Sequence, residues 1–190
     1  IAPMVEAPKP PSSNILKENG VLMLVEEFNQ EKIMPIVAQI MEYNLMDDDD
    51  QPEFLNLIIN SPGGSVHSAF HLIDMIKSSA IPVKTFGHGI VASCGVLTVM
   101  AGEPGHRYLA HNASTMSHQY SWGSSGKEHE LFAKFKEFEM ASDRMIEHYK
   151  KCTGKNKRYI RKHLLHNTDE WLTPDECVTH GIVDHVWRTY

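Results

Sequence analysis

The sequence has few of the features that mark secreted, membrane-spanning or nucleic-acid-binding proteins. Its 190 residues include three cysteines, Cys94, Cys152 and Cys177, with no CxxC pair. An odd number of thiols is unlike a secreted disulfide framework. The longest apolar run, residues 90–101, is interrupted by polar residues and is shorter than the roughly 20 residues that a membrane helix needs. We therefore expect a cytoplasmic protein outside the membrane.

The sequence also lacks motifs for binding nucleic acid or ATP and for secretion. Lys and Arg number 18 against 24 Asp and Glu, and no long basic cluster occurs, so nucleic acid is not an expected partner. No Walker-type phosphate loop is present, so any use of ATP must come from a partner. The first residues lack the basic, apolar and small-residue order of a signal peptide. We expect this chain to bind no cofactor and no metal of its own.

What the sequence does contain is an alternation of short apolar runs and segments with helical periodicity. The apolar runs, typical of buried strands, lie at 21–25, 54–59, 83–86, 107–109 and 115–118. Such alternation predicts an α/β fold with a largely parallel sheet. The apolar run at 90–101 is expected to be a buried helix. Residues 1–20 form a separate proline-rich arm, whose first nineteen residues we expect to lack regular structure.

A long amphipathic helix is predicted at about 127–152. Phe132, Phe135 and Phe138 fall within seven positions of it, and Gly154 provides the left-handed residue that commonly ends a helix. About 25 residues at 1.5 Å each make a helix of roughly 38 Å. The pattern leaves two interpretations open. The helix packs on the core of its own domain, or it projects and buries its aromatic face against another subunit.

Three residues have the types that a serine hydrolase needs. A serine hydroxyl is a poor nucleophile at neutral pH, so it needs an imidazole to take its proton and a carboxylate to orient the imidazole. Ser93, His118 and Asp169 supply these groups in that order. Backbone N–H groups of Gly64, in a strand-to-helix turn, and of Cys94, directly after the serine, are candidates for an oxyanion hole. The segment around Ser93 lacks the first glycine of the GxSxG motif, which argues against an α/β-hydrolase.

Several segments then resemble the proteolytic subunits of the Clp protease, the ClpP family. The resemblance covers about residues 21–186, and its motifs are collinear: Leu57–Val66, Ala92–Gly95, Met116–Gln119, and Trp171–Pro174 followed by His180–Asp184. It implies a crotonase-like α/β fold of repeated strand–turn–helix units, with residues 21–190 as one serine peptidase domain and the 127–152 helix as a protruding handle. It also implies Ser93 as nucleophile, His118 as general base and acid, Asp169 as orienting acid, and Gly64 and Cys94 as oxyanion donors.

The resemblance also implies partners. In the family, subunits form seven-membered rings, and two rings stack through the long helix into a tetradecamer that encloses the active sites. Unfolded polypeptides are threaded into this chamber by an AAA+ ATPase. Four residues depart from the family pattern: Asn167 and Thr168 replace a common acidic–arginine pair, Tyr120 replaces proline, and Cys94 replaces methionine. We expect ring stacking to be weaker or differently regulated.

Other assignments compete with this interpretation. Asp175 and Asp184 are alternative acids, and a reactive thiol is a less favoured role for Cys94 than a small buried side chain. His67 and His71 have the i, i+4 spacing of two metal ligands, but no third ligand is evident. At the level of function, the alternatives are a crotonase-type acyl-CoA enzyme and a non-catalytic or weakly active ring subunit that supports a paralogue.

Overall fold

A mostly parallel sheet forms the centre of the protein. The computed structural model describes residues 12–188. The strands are β1 (Val21–Leu24), β2 (Leu55–Ser61), β3 (Val83–Ala92), β4 (Arg107–Ala110), β5 (Ser114–Ser117), β6 (Glu170–Leu172) and β7 (His185–Trp187). Every apolar run that predicted a strand contains one, because branched and aromatic side chains fit a pleated, buried surface.

Helices follow most of the strands. They are α1 (Ser12–Glu18), α2 (Gln30–Asn44), α3 (Val66–Ser78), α4 (Cys94–Met100), α5 (Glu128–Thr153), α6 (Lys157–His163) and α7 (Pro174–His180), with a turn of 3-10 helix at Asp48–Asp50. Their ends carry the expected signals: Ser65 caps α3 through its side chain, and Gly154 ends α5 in the left-handed conformation.

The strand order brings together the loops that follow three of the strands, at the carboxyl ends of those strands. Strands β1, β2, β3, β4 and β7 lie side by side in that order, each parallel to its neighbour. The carboxyl-terminal part of β3 also pairs in parallel with β5, and β5 pairs antiparallel with β6. The loops that follow β2, β3 and β5 therefore meet, as expected at the carboxyl ends of parallel strands.

The core lies between the sheet and its helices. Leu57 and Ile59 of β2, Val91 of β3 and Leu109 of β4 are fully buried. The predicted apolar face of α3 is buried along its whole length, at Val66, Ala69, Phe70, Ile73 and Ile76. The predicted α/β class with a largely parallel sheet is confirmed.

Two local predictions were wrong. Residues 12–18, expected to be irregular, form helix α1, which α2 holds through a hydrogen bond from the Tyr43 hydroxyl to Lys17 O and a 2.5 Å ion pair between Lys17 and Glu42. The prediction for residues 1–11 lies outside the described residues. The apolar run at 90–101 is not one helix, because residues 90–92 complete β3 and only Cys94–Met100 are helical.

Helix α5 packs on its own domain along only one of its halves. Its second half packs on the domain, with Ala141, Met145, Ile146, His148 and Tyr149 buried. In its first half Phe132 and Phe135 remain 68% and 49% exposed. Of the helices within residues 12–188, none has the length and apolar character needed to span a membrane.

Candidate active site

Ser93 occupies a strained position between β3 and α4. Its backbone has φ 53° and ψ −115°, and it is the only residue other than glycine with a positive φ in the described part of the chain. Its N–H donates to Met116 O of β5 at 2.8 Å. Because such a conformation is costly for a residue with a Cβ, it is often found where function requires it. The turn holds the Ser93 hydroxyl at the edge of the sheet.

The strands bring His118 to Ser93. His118 follows β5 directly, and the parallel pairing of Ala92 with Met116 sets β3 and β5 in register. The His118 Nε2 atom lies 2.8 Å from Ser93 Oγ, within hydrogen-bond distance. The histidine is half-buried, so it remains in contact with the solvent-facing cleft. This contact is the one that a serine nucleophile and its general base require.

The sheet also brings Asp169 to the end of the strand pair that His118 follows. Strands β5 and β6 are antiparallel, and their last pair is Ser117 with Glu170. His118 comes directly after β5 and Asp169 directly before β6, so the two residues flank that pair. However, Asp169 is exposed, and no hydrogen bond or ion pair between described residues joins it to His118.

The other candidate acids have partners elsewhere. Asp184 forms a 2.6 Å ion pair with Arg107, and Asp175 forms one of 2.7 Å with Arg188. Burial tends to raise the pKa of Asp184, but the bonds to Arg107 outweigh it and the pKa is lowered. Glu170 lies 2.6 Å from His166. These three carboxylates are engaged in structural contacts away from His118.

Gly64 and Cys94 lie beside the nucleophile. Both border a cavity that also contains Ser93 and His118, and the Cys94 thiol lies 3.3 Å from Gly64 O. Cys94 is the first residue of α4, where a backbone N–H has no partner within the helix. Gly64 has φ +139°, a conformation that L side chains rarely adopt. Both residues of the predicted oxyanion hole therefore lie at the nucleophile.

The Cys94 thiol does not have the properties of a nucleophile. Burial, partly offset by hydrogen bonding with Ser93 and with the Gly64 backbone, raises the pKa of this thiol to about 11. Since the thiolate is the reactive form, a thiol with this pKa is almost entirely protonated at neutral pH. Cys94 is a small buried side chain beside Ser93.

One histidine of the pair on α3 contacts a carboxylate of another helix. His67 Nε2 lies 3.3 Å from a carboxylate oxygen of Glu137 on α5. In the described residues there is no group of three His, Cys, Asp or Glu side chains suited to a metal ion. Asp48–Asp50 form an exposed turn of 3-10 helix.

Comparison with known proteins agrees with this geometry. The sequence profile of the Clp protease family matches residues 9–190. The chain belongs to the Clp protease family. It is 30% identical over 172 residues to the ATP-dependent Clp protease proteolytic subunit 2 of Corynebacterium efficiens, covering 90% of this chain and 83% of that protein. It is 31% identical over 172 residues to proteolytic subunit 1 of Corynebacterium jeikeium, covering 90% and 88%.

Membership of the Clp protease family confirms the main functional prediction, a proteolytic subunit. The sequence did not indicate that Phe28 and Tyr120 would lie next to the candidate site of this Clp family member. Phe28 pairs with Gly64 in an isolated β-bridge, with Phe28 N donating to Gly63 O at 2.8 Å. Tyr120 borders the nucleophile cavity and stacks on Phe138 of α5 at 5.4 Å. No sequence signal indicates the bridge, whereas the aromatic residues at 120, 122, 135 and 138 were a visible signal for the stack.

Proposed function

We propose that this protein is a serine endopeptidase, the proteolytic subunit of a Clp-type protease. The observation that carries this proposal is the 2.8 Å contact between Ser93 Oγ and His118 Nε2. It joins a strained, half-buried serine to a base across two strands that are neighbours only in the folded chain. Membership of the family supports a peptidase, and the contact supports serine chemistry in particular.

The reaction follows from these positions. Ser93 Oγ attacks the carbonyl carbon of a peptide bond while His118 Nε2 takes its proton. The carbonyl oxygen becomes an oxyanion that the N–H groups of Gly64 and Cys94 stabilise. His118 then gives the proton to the leaving amine, the C–N bond breaks, and an acyl ester remains on Ser93. A water molecule, deprotonated by His118, hydrolyses the ester and restores the hydroxyl.

Asp169 is the orienting acid in this proposal. Its place directly before β6, at the end of the strand pair that His118 follows, supports the assignment, and its carboxylate must turn to reach Nδ1 of the imidazole. Loss of the orienting acid costs about 10⁴-fold in turnover in a serine protease. The separation of Asp169 from His118 therefore favours, as a second candidate, a subunit with weak activity that supports a paralogue in a mixed ring.

The proposal includes assembly into seven-membered rings, stacked in pairs, in the cytoplasm. The exposed Phe132, Phe135 and Met140 on the first half of α5 support a subunit interface, since clustered large apolar side chains commonly mark one. The three cysteines are free thiols, as expected in a reducing compartment. Light scattering should give a mass of about seven or fourteen times 21.5 kDa.

Substrate delivery belongs to a partner. We assign this role to an AAA+ Clp ATPase that unfolds protein substrates, because the sequence of this chain contains no Walker-type loop. ATP is then a cofactor of the partner, while hydrolysis of the peptide bond at Ser93 requires no cofactor.

The chemistry is tested by labelling with a fluorophosphonate probe and by turnover of a fluorogenic peptide. Ser93→Ala should abolish labelling and lower turnover by about a millionfold, while Ser125→Ala, in the exposed loop before α5, should leave both unchanged. Labelling that survives Ser93→Ala would place the reactive group elsewhere. A folded protein that neither reacts with the probe nor cleaves peptides would support the weakly active subunit.

A further inference from the structure

A second cavity opens beside the nucleophile cavity. It has a volume of about 370 Å³, and Gln119, Tyr120 and Met145 border both cavities. We call it the side cavity. A volume of about 150 Å³ is enough to hold benzene, so the side cavity is large enough for an amino-acid side chain. A peptide held at Ser93 brings the side chains next to its scissile bond to this point.

The side cavity has an apolar floor and a polar rim. Four of its lining side chains are apolar: Phe138, Met145, Ile146 and Leu165. Its neutral polar residues are Gln119, Tyr120, Ser142 and Asn167. Gln119 is held in place by hydrogen bonds from its amide nitrogen to Leu165 O at 3.0 Å and to Asn167 Oδ1 at 3.4 Å. Among the described lining residues, the remaining one, Arg161, is the only one charged at neutral pH.

Arg161 lies on a helix rich in cationic residues and forms no ion pair with a described carboxylate. Helix α6, on which it lies, contains four cationic residues and no Asp or Glu in its sequence KRYIRKH. Within residues 12–188, Arg161 takes part in no ion pair. A guanidinium has a planar fork of donors that matches a carboxylate. The whole chain has a net charge of −6, so α6 is a local excess of positive charge next to the side cavity.

We infer that the side cavity is a substrate subsite in which Arg161 selects an acidic side chain, glutamate above all, next to the scissile bond. This inference rests on the proposed peptidase function. The methylenes of glutamate lie against the apolar floor, and its carboxylate reaches the Arg161 guanidinium at the rim. Glutamine has the same shape without the charge, and it therefore separates the effect of charge from the effect of fit.

The test uses quenched fluorescent peptides that differ only in Glu or Gln at one position on either side of the cleaved bond. At one position the unmodified protein should show a kcat/KM about three- to fivefold higher for the Glu peptide, as expected for an ion pair at a solvent-exposed rim. Arg161→Gln should reduce this ratio to about one, and Arg161→Glu should invert it. Arg158→Gln, which removes a cation of α6 that does not line the side cavity, should keep the ratio.

The outcomes separate this inference from the proposed function. Ratios near one at every position, or a preference for Glu that survives Arg161→Gln, would overturn the subsite. Absence of probe labelling and of peptide cleavage would instead refute the peptidase. In that case, binding of fluorescein-labelled Glu and Gln peptides to Ser93→Ala, measured by anisotropy, still decides the subsite. A tighter Kd for the Glu peptide that is lost in the double variant with Arg161→Gln supports it, and equal Kd values reject it.

Discussion

Replacing Gly64 by alanine tests whether its N–H belongs to an oxyanion hole. At its φ of +139°, an added Cβ would lie 2.5 Å from Phe28 O and 2.7 Å from Phe28 N. These are backbone atoms, and two hydrogen bonds fix them. Phe28 N donates to Gly63 O at 2.8 Å, and Ser65 N donates to Phe28 O at 2.7 Å. The backbone of Phe28 cannot move away from the added Cβ without breaking the β-bridge. The backbone of residue 64 must therefore shift, and the position of its N–H shifts as well.

The magnitude follows from the loss of one oxyanion donor. Removing such a donor lowers turnover by about 100- to 1,000-fold, equal to roughly 2.7–4 kcal/mol of transition-state stabilisation. The chain offers a matched control in Gly154, which also has a positive φ, +69°, but where an added Cβ meets no atom within 4 Å. Gly154→Ala should cost only the strain of a left-handed alanine, about 1–2 kcal/mol of unfolding free energy, and should keep its activity.

The assay is kcat/KM for a fluorogenic peptide, measured well below the Tm of each variant. Thermal unfolding is recorded alongside, because Gly64→Ala also loses stability. Activity of Gly64→Ala within about threefold of the unmodified protein would show that this N–H is not a donor, given the expected loss of 100-fold or more. An equal loss of activity in Gly154→Ala would show that activity follows stability rather than the position of the N–H.

Two further changes test the acid and a buried histidine. Asp169→Asn should lower kcat by about 10³- to 10⁴-fold, whereas Glu170→Gln should change it little because that carboxylate contacts His166; similar losses in both would contradict the assignment. Burial lowers the pKa of His148 to about 4, below its ordinary 6.5, although its bond to Leu97 O opposes this. Buried neutral His148 therefore contributes fully to the free energy of unfolding above pH 6.5. This contribution, on the order of 3 kcal/mol, is lost as the pH falls towards 4. Urea unfolding should show a weaker pH dependence in His148→Gln, and an unchanged one would refute this.

Local sequence determined the secondary structure of most of the chain. The apolar runs predicted the strands, and the three- and four-residue spacing on α3 predicted its buried face, because these patterns depend on neighbours a few positions away. The prediction that rested on local composition alone was wrong. The serine- and proline-rich start suggested an irregular arm, yet contacts with Tyr43 and Glu42, far along the chain, accompany helix α1.

The sequence alone also supplied the three residue types of the site and their order. Only the tertiary structure showed that β3 and β5 pair, that Ser93 has a positive φ, and that Asp175 and Asp184 bind arginines. The physical reason is that strand pairing and ion pairs join residues distant in the chain, so no local pattern records them. Ser93 and His118 are 25 positions apart, and the sheet alone brings Oγ and Nε2 to 2.8 Å.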